Sequence, residues 1–144
     1  METGLRRGVV FVGASSESAD SFPTGIRGVI SVGATERALG SPDVTAPGVH
    51  VMTLRPKAQY DFDSGTSIAA AEVSGVVALL LANSPHLSTA SIESLLTQTS
   101  THSGLVKASD TSEAGKAGVV DANAALVKLT ELRNERVATR ASAN

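Results

Sequence analysis

The chain has 144 residues, of which 42% are hydrophobic, so it is long enough for one domain with a buried core and too apolar for a disordered protein. Only 3% of the residues are aromatic, which leaves valine, leucine, isoleucine and alanine to build that core. A formal net charge of −2 indicates no nucleic-acid partner, and the lack of cysteine excludes disulfides and thiolate metal sites.

Two continuous apolar runs near the start of the chain predict strands. They cover residues 8–14 and 28–34, and each is rich in valine and ends in small residues. Such runs are typical of strands that are covered on both faces, as in a parallel sheet. A polar loop with turn residues separates them at 15–25, and a shorter strand is predicted at Val51–Leu54.

A long apolar helix is predicted from Ser67 to about Asn83. It stops before Pro85, because the residue before a proline disfavours the helical conformation. Its apolar stretch is too short to span a bilayer and carries Glu72 and Ser74, so we interpret it as a buried core helix. The positions expected on its buried side are Val73, Val76, Val77 and Leu80.

Two further helices are predicted after Pro85. Ser88 or Thr89 caps the first, and Asp121 caps the second. Their apolar positions are Ile92, Leu95 and Leu96 in the first and Ala125, Leu126, Leu129 and Leu132 in the second. Residues from about Asn134 onward are polar and alanine-rich, and we expect them to fray.

Ser67 is the residue that carries the chemical signal, because it lies just after Gly65 at the start of the long helix. A helix start offers unpaired backbone N–H groups and a partial positive charge, and both stabilise a developing oxyanion. Gly65 lets the chain turn tightly into the helix. This placement suits a nucleophile; the alternative interpretation is that Ser67 only caps a buried helix.

The stretch from Gly65 to Gly75 closely resembles the serine motif of the subtilisin-like serine proteases, Gly-Thr-Ser-Met-Ala-x-Pro-His-Val-x-Gly. The matching positions are Gly65, Thr66, Ser67, Ala69, Val73 and Gly75. Ala71 stands where the family has proline, and Glu72 stands where it has histidine. Neither position belongs to the catalytic triad, so the resemblance still implies that Ser67 is the nucleophile.

Other segments resemble the same family in the right order. Residues 9–17 are similar to the family's strand that leads to Ala-Ala-Gly-Asn-Glu, and residues 29–34 are similar to its Val-Ile-x-Val-Gly-Ala strand. Residues 43–49 are similar to Asp-Val-x-Ala-Pro-Gly-Val, and residues 115–125 are similar to Gly-x-Gly-x-Val-Asp-Ala-x-x-Ala. The resemblance implies an α/β subtilisin-like fold, a parallel β-sheet with flanking helices, represented by its C-terminal half. Residues 1–133 would belong to this peptidase domain and 134–144 would form the polar tail.

Two members of the catalytic triad are not found in the chain. In the family an Asp and a His precede the Ser, and we expect their segments to lie upstream of Gly8. Asp63 begins an Asp-Ser-Gly triplet, but it overlaps the serine motif and lies too close to Ser67 in sequence to orient a histidine from its far side. The three histidines, His50, His86 and His102, lack the expected neighbours and are interpreted as surface or capping residues.

The oxyanion hole is also altered relative to the family. Alignment on Glu17 places Ser16 at the family's asparagine, whereas alignment on Ala14 places Ser15 there. A serine hydroxyl donates a hydrogen bond but is shorter than an amide, and loss of this donor in a subtilisin costs about 10²–10³-fold in turnover. The Ser67 backbone N–H would be the second donor. The alternative is that both serines are ordinary polar loop residues.

The resemblance implies a serine endopeptidase in which Ser67 attacks the carbonyl, an upstream His is the base and an upstream Asp orients it; the chain alone is expected to be inactive. The alternative is a non-catalytic subtilase-like module that binds protein or completes another chain's fold. A third interpretation is an unrelated parallel α/β binding domain.

The expected partners are a polypeptide substrate or an upstream subtilase half, with no nucleic acid and no membrane. No cofactor is evident from the sequence, and a structural calcium ion is implied only by the family resemblance. The family is often secreted, but no signal peptide is found at the start of the chain, so the sequence leaves the compartment open.

Overall fold

A three-stranded parallel sheet lies at the centre of the computed structural model, which describes residues 1–16, 21–36, 39–102 and 117–142. Its strands are β1 (Phe11–Ala14), β2 (Val29–Ala34) and β3 (Val44–Ala46), in the order β1-β2-β3. All six residues of β2 are buried, which confirms the strand predicted to be covered on both faces. β1 is only partly buried, because β2 is its only strand partner among the described residues.

Four helices are found in the described residues: α1 (Glu2–Arg6), α2 (Thr66–Asn83), α3 (Thr89–Thr99) and α4 (Ala122–Ser142). The predicted caps are confirmed, since Ser88 Oγ accepts a hydrogen bond from the N–H of Ser91 and Asp121 Oδ1 accepts one from Ala124. The short helix α1 is not predicted by the sequence analysis. The closing family motif begins at residues 115–116, which lie outside the described residues, as does Glu17.

The core forms where α2 packs across the three strands of the sheet and where α4 packs against both α2 and α3. Val73, Val77 and Leu80 of α2 are buried, as predicted, and Val76 is half-buried. The other large core side chains are Ile30, Val32, Val44, Ile92, Leu95, Leu96 and Leu129. This arrangement places the start of α2 near the carboxyl end of β2.

The opposite side of α2 is exposed, and we call it the open face. It consists of Ala71, Glu72, Ser74, Gly75, Ala78, Leu79 and Ala82. By length and composition α2 could cross a membrane, contrary to the expectation that its apolar stretch is too short, since its 18 residues have a mean hydropathy of 1.5. Core helices of soluble proteins meet the same criteria. Only 28% of this window is buried, so the expectation of a buried core helix is confirmed for one side of α2 alone.

An antiparallel hairpin of β4 (Val51–Arg55) and β5 (Gln59–Asp63) lies between the sheet and α2 in sequence. One face of the hairpin is apolar, because Met52 pairs with Phe62 and Leu54 pairs with Tyr60, and all four side chains are exposed. The other face carries an ion pair of 3.3 Å between Arg55 and Asp63. The predicted strand Val51–Leu54 is confirmed as β4, whereas β5 is not predicted by the sequence analysis.

The end of the chain differs from the expected frayed tail. Helix α4 continues through Ser142, although every residue from Arg133 to Ser142 is exposed. Half of the ten residues from Arg133 to Ser142 are arginine or alanine, which favour helix, and Arg133 Nη1 donates to the Asn83 carbonyl at 3.2 Å. Residues 143–144 lie outside the described residues.

Candidate active site

Ser67 is the second residue of α2 and its side chain is exposed. The N-cap residue is Gly65, and no side chain makes a capping hydrogen bond, so Ser67 does not act as the cap of this helix. The N–H groups of Ile68 and Ala69 bond to the Gly65 carbonyl at 3.1 and 3.4 Å, whereas the N–H of Ser67 has no acceptor within the helix. The backbone N–H of Ser67, as a hydrogen-bond donor, and its side-chain hydroxyl are therefore both available at this position.

The start of α2 is anchored to the sheet through Gly48. The N–H of Gly65 donates to the Gly48 carbonyl at 2.7 Å, and the N–H of Gly48 donates to Glu36 Oε2 at 3.1 Å. Gly48 lies so close to the end of β2 that a Cβ there would be 2.5 Å from the Cβ of Ala34. The backbone that carries Ser67 is thus held by close packing that only glycine permits at position 48.

No base for Ser67 is found among the described residues, since the Ser67 hydroxyl makes no hydrogen bond with any of them. His50, His86 and His102 are all exposed, which confirms their interpretation as surface residues. His50 comes nearest in sequence, and it bonds through its backbone N–H to Ser64 Oγ at 3.0 Å. The Asp63 carboxylate is engaged by Arg55 and by the N–H of Ser64, as a structural residue would be.

The two candidate oxyanion donors, Ser15 and Ser16, follow the carboxyl end of β1 and differ in their surroundings. The Ser16 hydroxyl is half-buried and is hydrogen-bonded to the hydroxyl of Ser21, which in turn lies 3.3 Å from Thr24 Oγ1. Ser15 is only 5% exposed, and its hydroxyl has no hydrogen-bond partner. Neither hydroxyl is bonded to Ser67, so the choice between the two serines stays a prediction.

Both serines line a cavity of about 550 Å³ that also contains Asp43 and Glu93. Asp43 Oδ2 accepts a hydrogen bond of 2.7 Å from the N–H of Ser31 in β2. Burial, and then the charge of Asp43, raise the pKa of Glu93 above its usual value. Within the described ranges no group of three or more His, Asp or Glu side chains is arranged to hold a metal ion.

Glu93→Gln is expected to raise the melting temperature at pH 7. A carboxyl group whose pKa is raised on folding is disfavoured in its ionised form, so its charge lowers stability above the folded-state pKa. The gain should shrink as the pH falls and be absent below the ordinary pKa of a glutamate, where both states are protonated. Thermal melting of the two proteins between pH 4 and pH 8 measures this difference.

The matched control is Glu135→Gln, which removes one carboxylate from the exposed part of α4. Its melting temperature should follow that of the unsubstituted chain across the same pH range. If Glu93→Gln melts at or below the unsubstituted chain at pH 7, the charge of Glu93 is not unfavourable in this cavity.

Comparison with known proteins gives consistent matches over most of the chain. A family model described as the subtilase family matches residues 5–121. M-protease of Shouchella clausii is 36% identical over an alignment of 116 positions that covers 72% of this chain and 30% of that protein. Subtilisin DY of Bacillus licheniformis is 33% identical over an alignment of 113 positions that covers 67% of this chain and 41% of that protein.

Solved structures are similar over the same region. A protease from Pseudoalteromonas arctica has a TM-score of 0.74 and 27% identity, and the match covers 89% of this chain and 45% of that one. Fervidolysin from Fervidobacterium pennivorans has a TM-score of 0.68 and 27% identity, with 85% of this chain and 23% of that one covered. These neighbours confirm the predicted α/β fold, and this chain spans less than half the length of each of the four proteins.

Proposed function

Because the chain belongs to the subtilase family of serine proteases, we propose that it is the C-terminal part of a serine endopeptidase domain with Ser67 as nucleophile. The observation that carries this proposal is the position of Ser67. Its exposed hydroxyl lies in the first turn of a helix that Gly48 anchors to the sheet, and it is not used by any other described residue. A structural serine in the first turn would be expected to cap the helix or to be buried.

The proposed reaction begins with attack of Ser67 Oγ on the carbonyl carbon of a peptide bond. A histidine of the upstream part of the domain accepts the hydroxyl proton and then donates it to the leaving amine, while an upstream aspartate orients the imidazole. Water hydrolyses the resulting ester by the same route in reverse. The Ser67 N–H donates to the oxyanion, and a hydroxyl at the end of β1, from Ser16 or Ser15, is the second candidate donor.

A non-catalytic module is the second candidate function, and the hydrogen bond that engages the Ser16 side chain favours it. Its hydroxyl is already bonded to Ser21, so it is less available to an oxyanion than a side chain that points freely into the site. Ala71 and Glu72 also depart from the family motif. Such a module would bind protein or complete the fold of another chain without hydrolysis.

The chain alone is expected to show no peptidase activity, because the base and the residue that orients it are supplied from upstream. Casein cleavage and labelling by a fluorophosphonate probe measure this directly. When the chain is joined to the upstream segment of M-protease, the endopeptidase proposal expects both activities to appear. A well-folded joined protein that stays inactive favours the module, whereas cleavage by the chain alone that disappears in Ser67→Ala places a base within this chain.

A further inference from the structure

The open face of α2 and the outer edge of β1 both lack cover among the described residues. The apolar members of the open face include Leu79, which is 49% exposed, and a Cβ at Gly75 would meet no atom within 4 Å. β1 pairs only with β2 in the described part of the chain. Since the chain spans less than half of its relatives, the occupant that fits these surfaces is the N-terminal part of a subtilase domain.

Glu72 is the only ionisable residue of the open face. It lies three residues before Gly75 on the open face, and no described residue donates a hydrogen bond or an ion pair to its carboxylate. The charge that acts on Glu72 is that of another carboxylate, Glu36, which accepts a hydrogen bond from the N–H of Gly48. Partial desolvation, and then the charge of Glu36, raise the pKa of Glu72 although the residue as a whole is exposed, as expected for a carboxylate without a cationic partner.

We propose that Glu72 selects the segment that covers α2, because that segment has to present a cation or a hydrogen-bond donor to its carboxylate. This inference rests on the proposed function, from which the N-terminal part of the domain is taken as the occupant. Covering an ionised carboxylate without a partner is costly, and a matched donor removes that cost. The family motif has histidine at this position. A covering segment whose contacts suit a histidine is therefore mismatched with the carboxylate of Glu72.

A lipid bilayer is a poorer occupant of the same face. Glu72 would enter the apolar layer, where hydrocarbon cannot satisfy its carboxylate, whereas the Ser74 hydroxyl already donates to the Ala70 carbonyl at 2.7 Å.

The test measures binding between this chain, carrying Ser67→Ala to prevent hydrolysis, and the segment of M-protease that precedes the matched region. That segment is first shown to assemble with the matched region of M-protease itself. Glu72→His is expected to bind it at least about tenfold more tightly than the chain that keeps Glu72, and Glu72→Ala should lie between them. The control, Glu135→His on the exposed end of α4, should leave the dissociation constant unchanged.

A lysine scan of the M-protease segment then identifies the donor position directly. At least one lysine should strengthen binding to the chain with Glu72 and have no such effect on Glu72→Gln. Circular dichroism of each variant shows that the fold is retained.

Three outcomes overturn the proposal. The first is that the Glu72→His variant and the chain that keeps Glu72 bind the segment with equal affinity. The second is that no variant binds the segment while the two M-protease parts assemble. The third is that the chain binds phosphatidylcholine–phosphatidylglycerol vesicles in place of the segment. Because the readout is binding, it is separate from catalysis: an assembled protein with intact Ser67 that binds but does not hydrolyse contradicts the proposed function and leaves the role of Glu72 standing.

Discussion

Ser67→Ala is expected to abolish peptide hydrolysis by the assembled domain, that is, by this chain together with its upstream half. Loss of the nucleophile should lower turnover about 10⁶-fold, the size of the loss in a subtilisin without its catalytic serine. The free energy of unfolding should change by less than about 1 kcal/mol, because the exposed hydroxyl caps nothing and makes no hydrogen bond with the described residues. Hydrolysis of a peptide substrate and thermal melting measure the two effects.

Ser94→Ala is the matched control, since Ser94 is an exposed serine of α3 far from Ser67 in sequence. This variant also removes one serine hydroxyl, and its rate of peptide hydrolysis should stay close to that of the unsubstituted protein. The nucleophile assignment fails if Ser67→Ala lowers stability by several kcal/mol while hydrolysis stays at the level of the control.

Gly75→Leu is expected to weaken assembly with the upstream half by about 5–150-fold, the equivalent of the roughly 1–3 kcal/mol that overpacking costs. Gly75 lies on the exposed side of α2 in this chain, so a leucine overpacks only when that side is covered. In the chain alone the same change should raise the melting temperature, because leucine favours helix more than glycine does. Binding and thermal melting, measured on one preparation, separate these opposite effects.

Gly48→Leu is the contrasting variant, since its side chain would collide with Ala34 within this chain. It should unfold or strongly destabilise the chain whether or not a partner is present. If the Gly75→Leu variant assembles with the same affinity as the chain that keeps Gly75, the open face is not the surface that the upstream half covers.

Local signals in the sequence were sufficient for the helices that carry the core. Ser88 and Asp121 are capping residues whose effect depends on neighbours three residues away, so the starts of α3 and α4 could be predicted and are confirmed. The apolar run 28–34 likewise identifies β2, because a strand covered on both faces needs apolar residues at consecutive positions. The position of Ser67 at the start of α2 follows from contiguous residues in the same way.

Short or weakly patterned elements were missed for a related reason. β5 alternates Tyr60 and Phe62 with aspartates, which is a strand pattern, but it runs directly into the serine motif and has only five residues. Helix α1 also has only five residues, too few for a periodic signal. The end of α4 was misjudged because a polar composition is compatible both with a frayed tail and with an exposed helix.

The sequence by itself determined the family, the fold class and the candidate nucleophile, because the motif around Ser67 and the strand runs are contiguous in the chain. Only the tertiary structure decided the surroundings of the other site residues. Asp43 and Glu93 are fifty residues apart and share one cavity, and Ser16 is engaged by Ser21 while Ser15 is left without a partner. Burial is also a property of the whole fold, so sequence periodicity could not show that one side of α2 is covered and the side with Glu72 is open.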